Sequence, residues 1–528
     1  MGKNFCIGFF LCISLCSWGQ EHAWVYFKDK QESAAYMSNP LTMLSQKALD
    51  RRAKQQIALD LYDVPITATY LNTVGAIDGV EVLAKSKWFN AVHVQGTRNV
   101  ILSLRDLSFV ERVVFAADEP ATQSASQKQL TDKFAELPAF NYGNSANQIE
   151  MINLDQLHAE NFTGEGMTIA VMDGGFPNVN TFAAFTNLRV QGQLKGGYDF
   201  VRRNANFYTG VSHGTSVLSI MAGYVDGQLI GTAPAADYYL FITEDGANES
   251  PLEESLWVEA AEKADSLGVD IINTSLGYST FDDARYNYTY ADMDGNTTFI
   301  TRGADMAFSR GMMVVVSAGN EGNKTWRYIT APADGVDVLT IGAVDGLTQP
   351  TSFSSYGPTA DGRTKPDITA KGGGTTIVNS SGAVSTGSGT SYSGPVIAGA
   401  VACLWQANPT KTNREILDII RSSGNLFNNP TPQEGFGIPD FKQALETLSL
   451  GDATTPSLRV YPNPTQESLF VTVEGNARAE ISIFDVAGRR LVHKKLGPSQ
   501  TEISVAHFNA GIYLIQVNQS KFQKFIKQ

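Results

Sequence analysis

Between residues 149 and 448 the apolar positions fall into short unbroken runs separated by longer stretches of helical period. The runs Met167–Met172, Tyr238–Ile242, Val269–Ile272, Met312–Val316 and Val338–Val344 predict strands. Helices are predicted at 214–223, 252–267 and 302–310, and again at 391–407 and 413–422. Strands without a polar alternate face suit a parallel sheet covered on both sides, and strand–helix alternation predicts an α/β domain over 149–448. Before it, residues 20–118 read as a small α+β unit. Its strand-like runs are Ala23–Phe27, Val80–Leu83, Ala91–Val94 and Val100–Leu104, and Ser38–Leu61 has helical spacing through Leu41, Leu44, Ala48, Arg51 and Arg52. Residues 119–148 are rich in Ser, Gln, Asn and Ala and read as a linker open to proteolysis. After 452 the pattern shifts to short strands at Leu469–Val473, Ala479–Phe484, Glu502–Val505 and Ile512–Val517. Turn residues such as Ala487-Gly488 and Asn509-Ala510-Gly511 separate them, which predicts an all-β sandwich over 452–528.

The extreme N-terminus changes the compartment. Lys3 precedes the apolar run Phe5–Leu15, too short to span a bilayer, and Ser17-Trp18-Gly19 supplies small residues for cleavage. Residues 1–19 are therefore expected to be a secretory signal, with a mature start near Gln20. Three of the four cysteines, Cys6, Cys12 and Cys16, leave with it, so Cys403 has no intrachain disulfide partner. No further transmembrane segment is apparent.

The chain has 528 residues, enough for three or four domains, and its 43% apolar content supports large cores. Its formal charge of −13 is uneven. Residues 1–144 carry 14 basic and 14 acidic groups, 145–451 carry 17 and 33, and 452–528 carry 9 and 6. So acidic a middle argues against a phosphate-backbone partner, and nucleic-acid binding is excluded.

Six histidines narrow the search for chemistry, and only His158 and His213 lie in the α/β domain. His158, in Leu154–Glu160, reads as part of a polar helix face. His213, in Ser212-His213-Gly214-Thr215-Ser216-Val217, opens an apolar helix among small residues that leave an imidazole accessible. A histidine base needs an anion to fix its tautomer and a hydroxyl on its other nitrogen. Asp173 ends the strand Met167–Met172 and is followed by Gly174 and Gly175, but a strand-end aspartate is equally a turn cap. Ser391 stands where the glycine-rich loop Gly387-Ser388-Gly389 meets an apolar helix, with its N–H at the positive helix end, but a serine there is also an N-cap.

The order Asp173…His213…Ser391, each in its glycine-bearing context, resembles the subtilase family of serine peptidases over about 149–448. The matching blocks are Ile169–Gly175, His213–Val217, Ile272-Asn273-Thr274-Ser275-Leu276-Gly277, Ser317-Ala318-Gly319-Asn320-Glu321-Gly322, Ser352–Pro358, Lys365-Pro366-Asp367 and Gly389-Thr390-Ser391. The resemblance implies a subtilisin-like parallel sheet with helices on both faces. It also implies Ser391 as nucleophile, His213 as general base, Asp173 as its orienting anion and Asn273 as the oxyanion-hole amide. Ser275–Gly277 would pair with substrate backbone, and Ala318-Gly319-Asn320 would wall the specificity pocket. The substrates implied are proteins or peptides, the enzyme is expected as a monomer, and no cofactor is required for the chemical step. The loop Gly223–Gln228 is shorter than the family's usual calcium loop, while Asp292-Met293-Asp294-Gly295-Asn296 offers oxygen ligands for a structural calcium.

By position, 20–118 resembles a subtilase propeptide, with the activating cleavage expected in 119–148. The tail resembles the sorting domain of type IX secretion in Bacteroidota, through Val460-Tyr461-Pro462-Asn463-Pro464, Ile483–Arg489, Gly511–Leu514 and the basic end Lys524–Lys527. It implies the type IX machinery as a partner and a secreted or cell-surface location. Two other readings stay open: a catalytically inactive subtilase-like surface binding or adhesion protein, and an esterase using the same triad. Against the esterase, the chain order Asp173…His213…Ser391 is not the Ser…Asp…His order of α/β-hydrolases.

Overall fold

In the computed structural model the described residues are 19–117, 140–453 and 458–528, the last without 474–479, 486–488, 496–500 and 518–522. Residues 1–18 of the expected signal, with its three cysteines, residues 119–139 of the expected linker and the Ala487-Gly488 turn lie outside them. The chain divides into two units, one up to Leu445 and one from Glu446.

The first unit is organised on a seven-stranded sheet in which every pairing is parallel. In spatial order the strands are Ile368–Lys371, Leu339–Val344, Met313–Ser317, Ile271–Thr274, Thr168–Asp173, Asp237–Ile242 and Leu194–Asp199. Every residue of the five strands from Ile368–Lys371 to Thr168–Asp173 is buried, so the unbroken apolar runs reflect cover on both faces. The cover comes from helices His213–Ala222, Pro251–Leu267, Phe299–Ser309 and Thr390–Ala407. The two edge strands escape the apolar pattern: Leu194–Asp199 is half-exposed and carries Gly196-Gly197, and Ile368–Lys371 has only 4 residues.

Helix Pro251–Leu267 starts on a reciprocal Ser250/Glu253 capping box with Pro251 in its first turn, and stops at Gly268 with φ 82°. Against it lies an N-terminal four-stranded antiparallel sheet in the order Val80–Ser86, Ala91–Thr97, Gln20–Phe27 and Val110–Phe115. Two expectations fail there. Val100–Leu104 is not a strand but lies in the helix Arg98–Ser103 and the 3-10 turn after it, with Ile101 and Leu104, three residues apart, in the core. Of Ser38–Leu61 only Gln46–Lys54 forms an α-helix; Pro40 opens a separate 3-10 turn, and Ser45 caps the helix by accepting from Ala48 N at 3.2 Å. Leu41 counted toward the helical period but is exposed.

The linker expectation is corrected at its C-terminal end. From Phe140 onward the chain is built into the α/β unit: Ile230 N donates to Ser145 Oγ (3.0 Å) and Thr376 N to Gln148 Oε1 (2.8 Å). The second unit pairs Leu458–Tyr461, Ser468–Val473 and Thr501–Ser504 in one antiparallel sheet, and Arg490–Lys495, Glu480–Asp485, Gly511–Val517 and Gln523–Lys527 in another. Leu469, Ile483, Ile515 and Phe525 share the core between them.

The N-terminal sheet meets the α/β unit through apolar stacking and buried charge. Trp24 stacks on Phe299 with ring centroids 4.8 Å apart. Arg52 Nη2 reaches Asp63 at 2.8 Å and Asp265 at 2.9 Å, with all three side chains no more than 2% exposed. Burial alone would raise the Asp265 carboxyl, but Arg51 and Arg52 beside it hold it below its ordinary value. Arg52→Ala in the unprocessed chain should cost about 3 kcal/mol, because it leaves the buried Asp63 carboxylate without its cation. Chemical denaturation of that precursor measures the loss, and an unchanged midpoint would contradict it.

Candidate active site

The parallel sheet brings the key residues to one edge. Met172, Thr274 and Val316 are register partners across three adjacent strands, so Asp173, Ser275 and Ser317 form the next row, at the carboxyl ends. Both oxygens of Asp173 lie within reach of His213 Nδ1, at 2.9 and 3.0 Å, and Oδ1 also accepts from Gly174 N at 2.8 Å. A carboxylate can only accept, so Nδ1 carries the proton and Nε2 is left as the basic nitrogen. Asp173 is buried, while the His213 side chain is 36% exposed. The Asp173 charge raises the His213 pKa above 6.5 against the opposing effect of burial, with a smaller contribution from Glu244. Gly214 permits the approach: a Cβ there would stand 2.5 Å from Gly175 O and 2.9 Å from Asp173 Cβ.

Ser391 is the second residue of helix Thr390–Ala407. Tyr392, next to it, places its ring 5.9 Å from that of His213, which brings the start of this helix near the imidazole. Ser391 Oγ donates to Ser275 O at 3.2 Å. Pro395 has no N–H to return to the carbonyl four residues back, and that carbonyl, Ser391 O, accepts instead from Ser275 Oγ at 3.0 Å. The helix start is thereby tied to the segment after Ile271–Thr274.

The expected oxyanion residue needs correcting. Asn273 is fully buried as the third residue of its strand, Nδ2 donates to Ser275 Oγ at 3.1 Å, and it does not line the cavity beside Ser391. The amide in that cavity belongs to Asn320, three residues past the end of Met313–Ser317. Its Oδ1 accepts from Thr390 N (2.9 Å) and Thr390 Oγ1 (3.1 Å), which turns Nδ2 to the opposite side. The visible signal was an Asn in a glycine-bearing turn just beyond an apolar strand; Asn273 still lies inside its strand. The cavity, about 570 Å³, is lined by Ser391, Asn320, Ser275–Gly277, Gly319 and Thr330 among others.

Other matched blocks hold this edge in place. Ser355 N donates to Gly319 O (3.1 Å) and Ser355 Oγ accepts from Glu321 N (3.0 Å), bracing the Asn320 turn. Lys365 and Arg421 each pair with Asp367 at 2.7 Å, and Asp367 in turn accepts from Thr340 N. His158 is not on a polar face. It is buried, its Nε2 donates to Thr232 O at 3.1 Å, its Nδ1 receives the Tyr142 hydroxyl at 2.8 Å, and burial lowers its pKa to about 4. In the expected calcium run, Asp292 caps the 3-10 turn at Thr289 and Asp294 accepts from Asn296 N and Thr297 N, so both carboxylates serve as turn caps. Among the described residues no group of three or more His, Cys, Asp or Glu side chains is placed to hold a metal ion. The short loop Gly223–Gln228 lies within a tight hairpin of Tyr224–Val225 with Leu229–Ile230.

Family models match three successive parts of the chain. They are described as "Peptidase S8 propeptide domain, Bacteroidota" over residues 22–132, "Subtilase family" over 164–438 and "Secretion system C-terminal sorting domain" over 459–528. Subtilisin NAT of Bacillus subtilis subsp. natto and subtilisin E of Bacillus subtilis (strain 168) are each 30% identical over 288 residues, spanning 53% of this chain and 66% of the relative. The solved prenylagaramide maturation protease PagA is 22% identical, covering 56% of this chain and 98% of its own, with a TM-score of 0.44.

Proposed function

The chain belongs to the subtilase family, and from that premise we propose that its α/β domain is a serine endopeptidase that cuts peptide bonds through an acyl-enzyme on Ser391. The observation that carries the reading is the bidentate hold of Asp173 on His213 Nδ1, which leaves Nε2 as the base beside the Ser391 turn. A rotation of Ser391 Oγ away from Ser275 O brings the hydroxyl to Nε2. The hydroxyl then attacks the scissile carbonyl as Nε2 takes its proton, and His213 returns that proton to the leaving amine. Asp173 stabilises the imidazolium formed between the two steps.

We assign the oxyanion to Asn320 Nδ2 and the Ser391 N–H, which as a first-turn donor has no intrahelical acceptor. Asn273 takes no part in this assignment. The chemical step needs no cofactor, and the enzyme works as a single chain on protein or peptide substrates. Its tail is a secretion-system sorting domain, and the chain is exported by type IX secretion to the cell surface or beyond. The N-terminal sheet is the propeptide, and we place the activating cut in the part of 119–148 that precedes Phe140.

A fluorophosphonate probe tests the reading. The processed protein should be labelled on Ser391 and should hydrolyse casein; Ser391→Ala should take no label and should retain the propeptide. A folded, processed protein that takes no label would instead support the inactive binding protein, and one that cleaves short-chain esters but leaves casein intact would support the esterase. Asn320→Ala should lower kcat by about 10²–10³-fold with little change in KM, measured on a chromogenic peptide. Because His213 must be unprotonated to act and its pKa is raised, kcat/KM should fall as the pH drops through a midpoint above 6.5. In Asp173→Asn the residual activity should have that midpoint shifted downward.

A further inference from the structure

The His213 imidazole has a second neighbour besides the carboxylate that fixes its tautomer. The Tyr392 ring stands with its centroid 5.9 Å from that of the imidazole, and the two planes are inclined by 32°. The spacing falls within the range over which aromatic rings attract one another, and the inclination is nearer parallel than edge-on. His213 is therefore held at two places, at Nδ1 by Asp173 and on its ring by Tyr392. Asp173 ends a strand of the central sheet, whereas Tyr392 lies on the helix that bears Ser391.

The Tyr392 ring has little room to give way. It lies against a hairpin in which Thr375–Val378 pairs with Val384–Gly387. A Cβ on Gly387 would stand 2.6 Å from Tyr392 Cε2 and 3.1 Å from Cζ, so the ring abuts bare backbone there. The hairpin is fastened in turn to the helix that His213 opens. Ser216 Oγ donates to Val378 O and Val378 N donates to Ser219 Oγ, both at 2.8 Å. Tyr392 N donates to Gly389 O at 3.0 Å, within the turn that starts its own helix. The hairpin, the His213 helix and the Ser391 helix thus meet at this one ring, and a shift of it is felt by base and nucleophile together.

We propose that Tyr392 is a positioning residue for the reaction: its ring backs the imidazole, keeps Nε2 turned toward the Ser391 hydroxyl and stabilises the imidazolium formed when the proton is taken. The proposal deepens the endopeptidase reading and depends on it. An aromatic ring attracts a cation more strongly than a neutral imidazole, so the contact favours protonated His213. It acts in the same direction as Asp173 and Glu244, the charged groups that raise the His213 pKa. The work falls to the ring and not to the hydroxyl, whose own pKa is raised by burial and by Asp173, so that it stays neutral.

The test compares Tyr392→Phe, which keeps the ring, with Tyr392→Leu and Tyr392→Met, which replace it by apolar bulk. Fluorophosphonate titration counts the active fraction of each enzyme, and the pH profile of kcat/KM is followed on one chromogenic peptide. Tyr392→Leu and Tyr392→Met should lower the plateau about 3–10-fold and move the acidic midpoint down by about 0.3–0.7 pH unit. Tyr392→Phe should leave the midpoint in place and the plateau within about 2-fold of wild type. Loss of the ring destabilises the protonated base, so midpoint and plateau fall together; a side chain that only filled space would change the active fraction and leave the midpoint where it is. A titratable leucine or methionine variant with the wild-type midpoint overturns the proposal. A phenylalanine variant as impaired as these also overturns it, because the hydroxyl would then carry the role. If neither ring-free variant folds, the phenylalanine variant decides. A wild type that labels on Ser391, with ring loss leaving the profile unmoved, defeats only the role of Tyr392, whereas a wild type that takes no label and cleaves no peptide defeats the catalytic reading as well.

Discussion

The single direction of the central sheet is the constraint on which the site depends. Parallel strands end on the same edge, so residues far apart in sequence arrive in one row without any local signal linking them. Asp173, Ser275 and Ser317 are that row, one step beyond the partners Met172, Thr274 and Val316. His213 and Ser391 come from helices that begin at this edge, and Asn320 from the turn after a neighbouring strand. The sheet turns sequence separation into proximity, and the long helices needed to return the chain supply the apolar cover that makes it rigid.

Backbone chemistry sets the finer geometry. A proline at position 395 removes one hydrogen bond from the helix that bears Ser391, and the freed carbonyl is taken by Ser275 Oγ from the opposite wall. The same serine accepts from Asn273 Nδ2 and, through its own carbonyl, receives the Ser391 hydroxyl. One small side chain therefore fixes the helix start to the strand end. A buried asparagine at 273 earns its place by holding that serine, a positioning role that its motif context does not distinguish from a catalytic one.

This marks the limit of what the sequence made legible. Buried strands and helices stood out because parallel strands covered on both faces leave unbroken apolar runs; the edge strand Leu194–Asp199, half-exposed and carrying two glycines, did not. Asp173, His213 and Ser391 were readable because each sits at an element boundary among small residues. Asn273 and Asn320 share that kind of context, and only the position of the strand end separates a residue inside the sheet from one beyond it. His158 looked polar because its neighbours Asp155, Gln156 and Glu160 are, yet it faces inward to Tyr142 and Thr232. Leu41 shows the converse, an apolar residue read in helical register that is left exposed.

Charge behaves differently at the propeptide boundary. The acidity of residues 145–451 is partly a surface that the propeptide covers: Asp265 meets Arg51 and Arg52, Asp270 meets Lys47 at 2.9 Å, and Glu262 accepts from Ser86 Oγ, Lys87 N and Trp88 N. Taking these carboxylates out of water costs nearly as much as the pairing returns, and burial accordingly pushes the Glu262 pKa up to about 7. Such contacts fix register more than affinity. The favourable surplus then comes from apolar contact, such as Trp24 on Phe299, which does not depend on where the charges go afterwards. A domain docked in this way is held accurately while it is covalently attached. With the linker cut as proposed, the carboxylates of the α/β unit would recover their hydration as the N-terminal domain leaves, so accurate docking and later release are compatible in one interface.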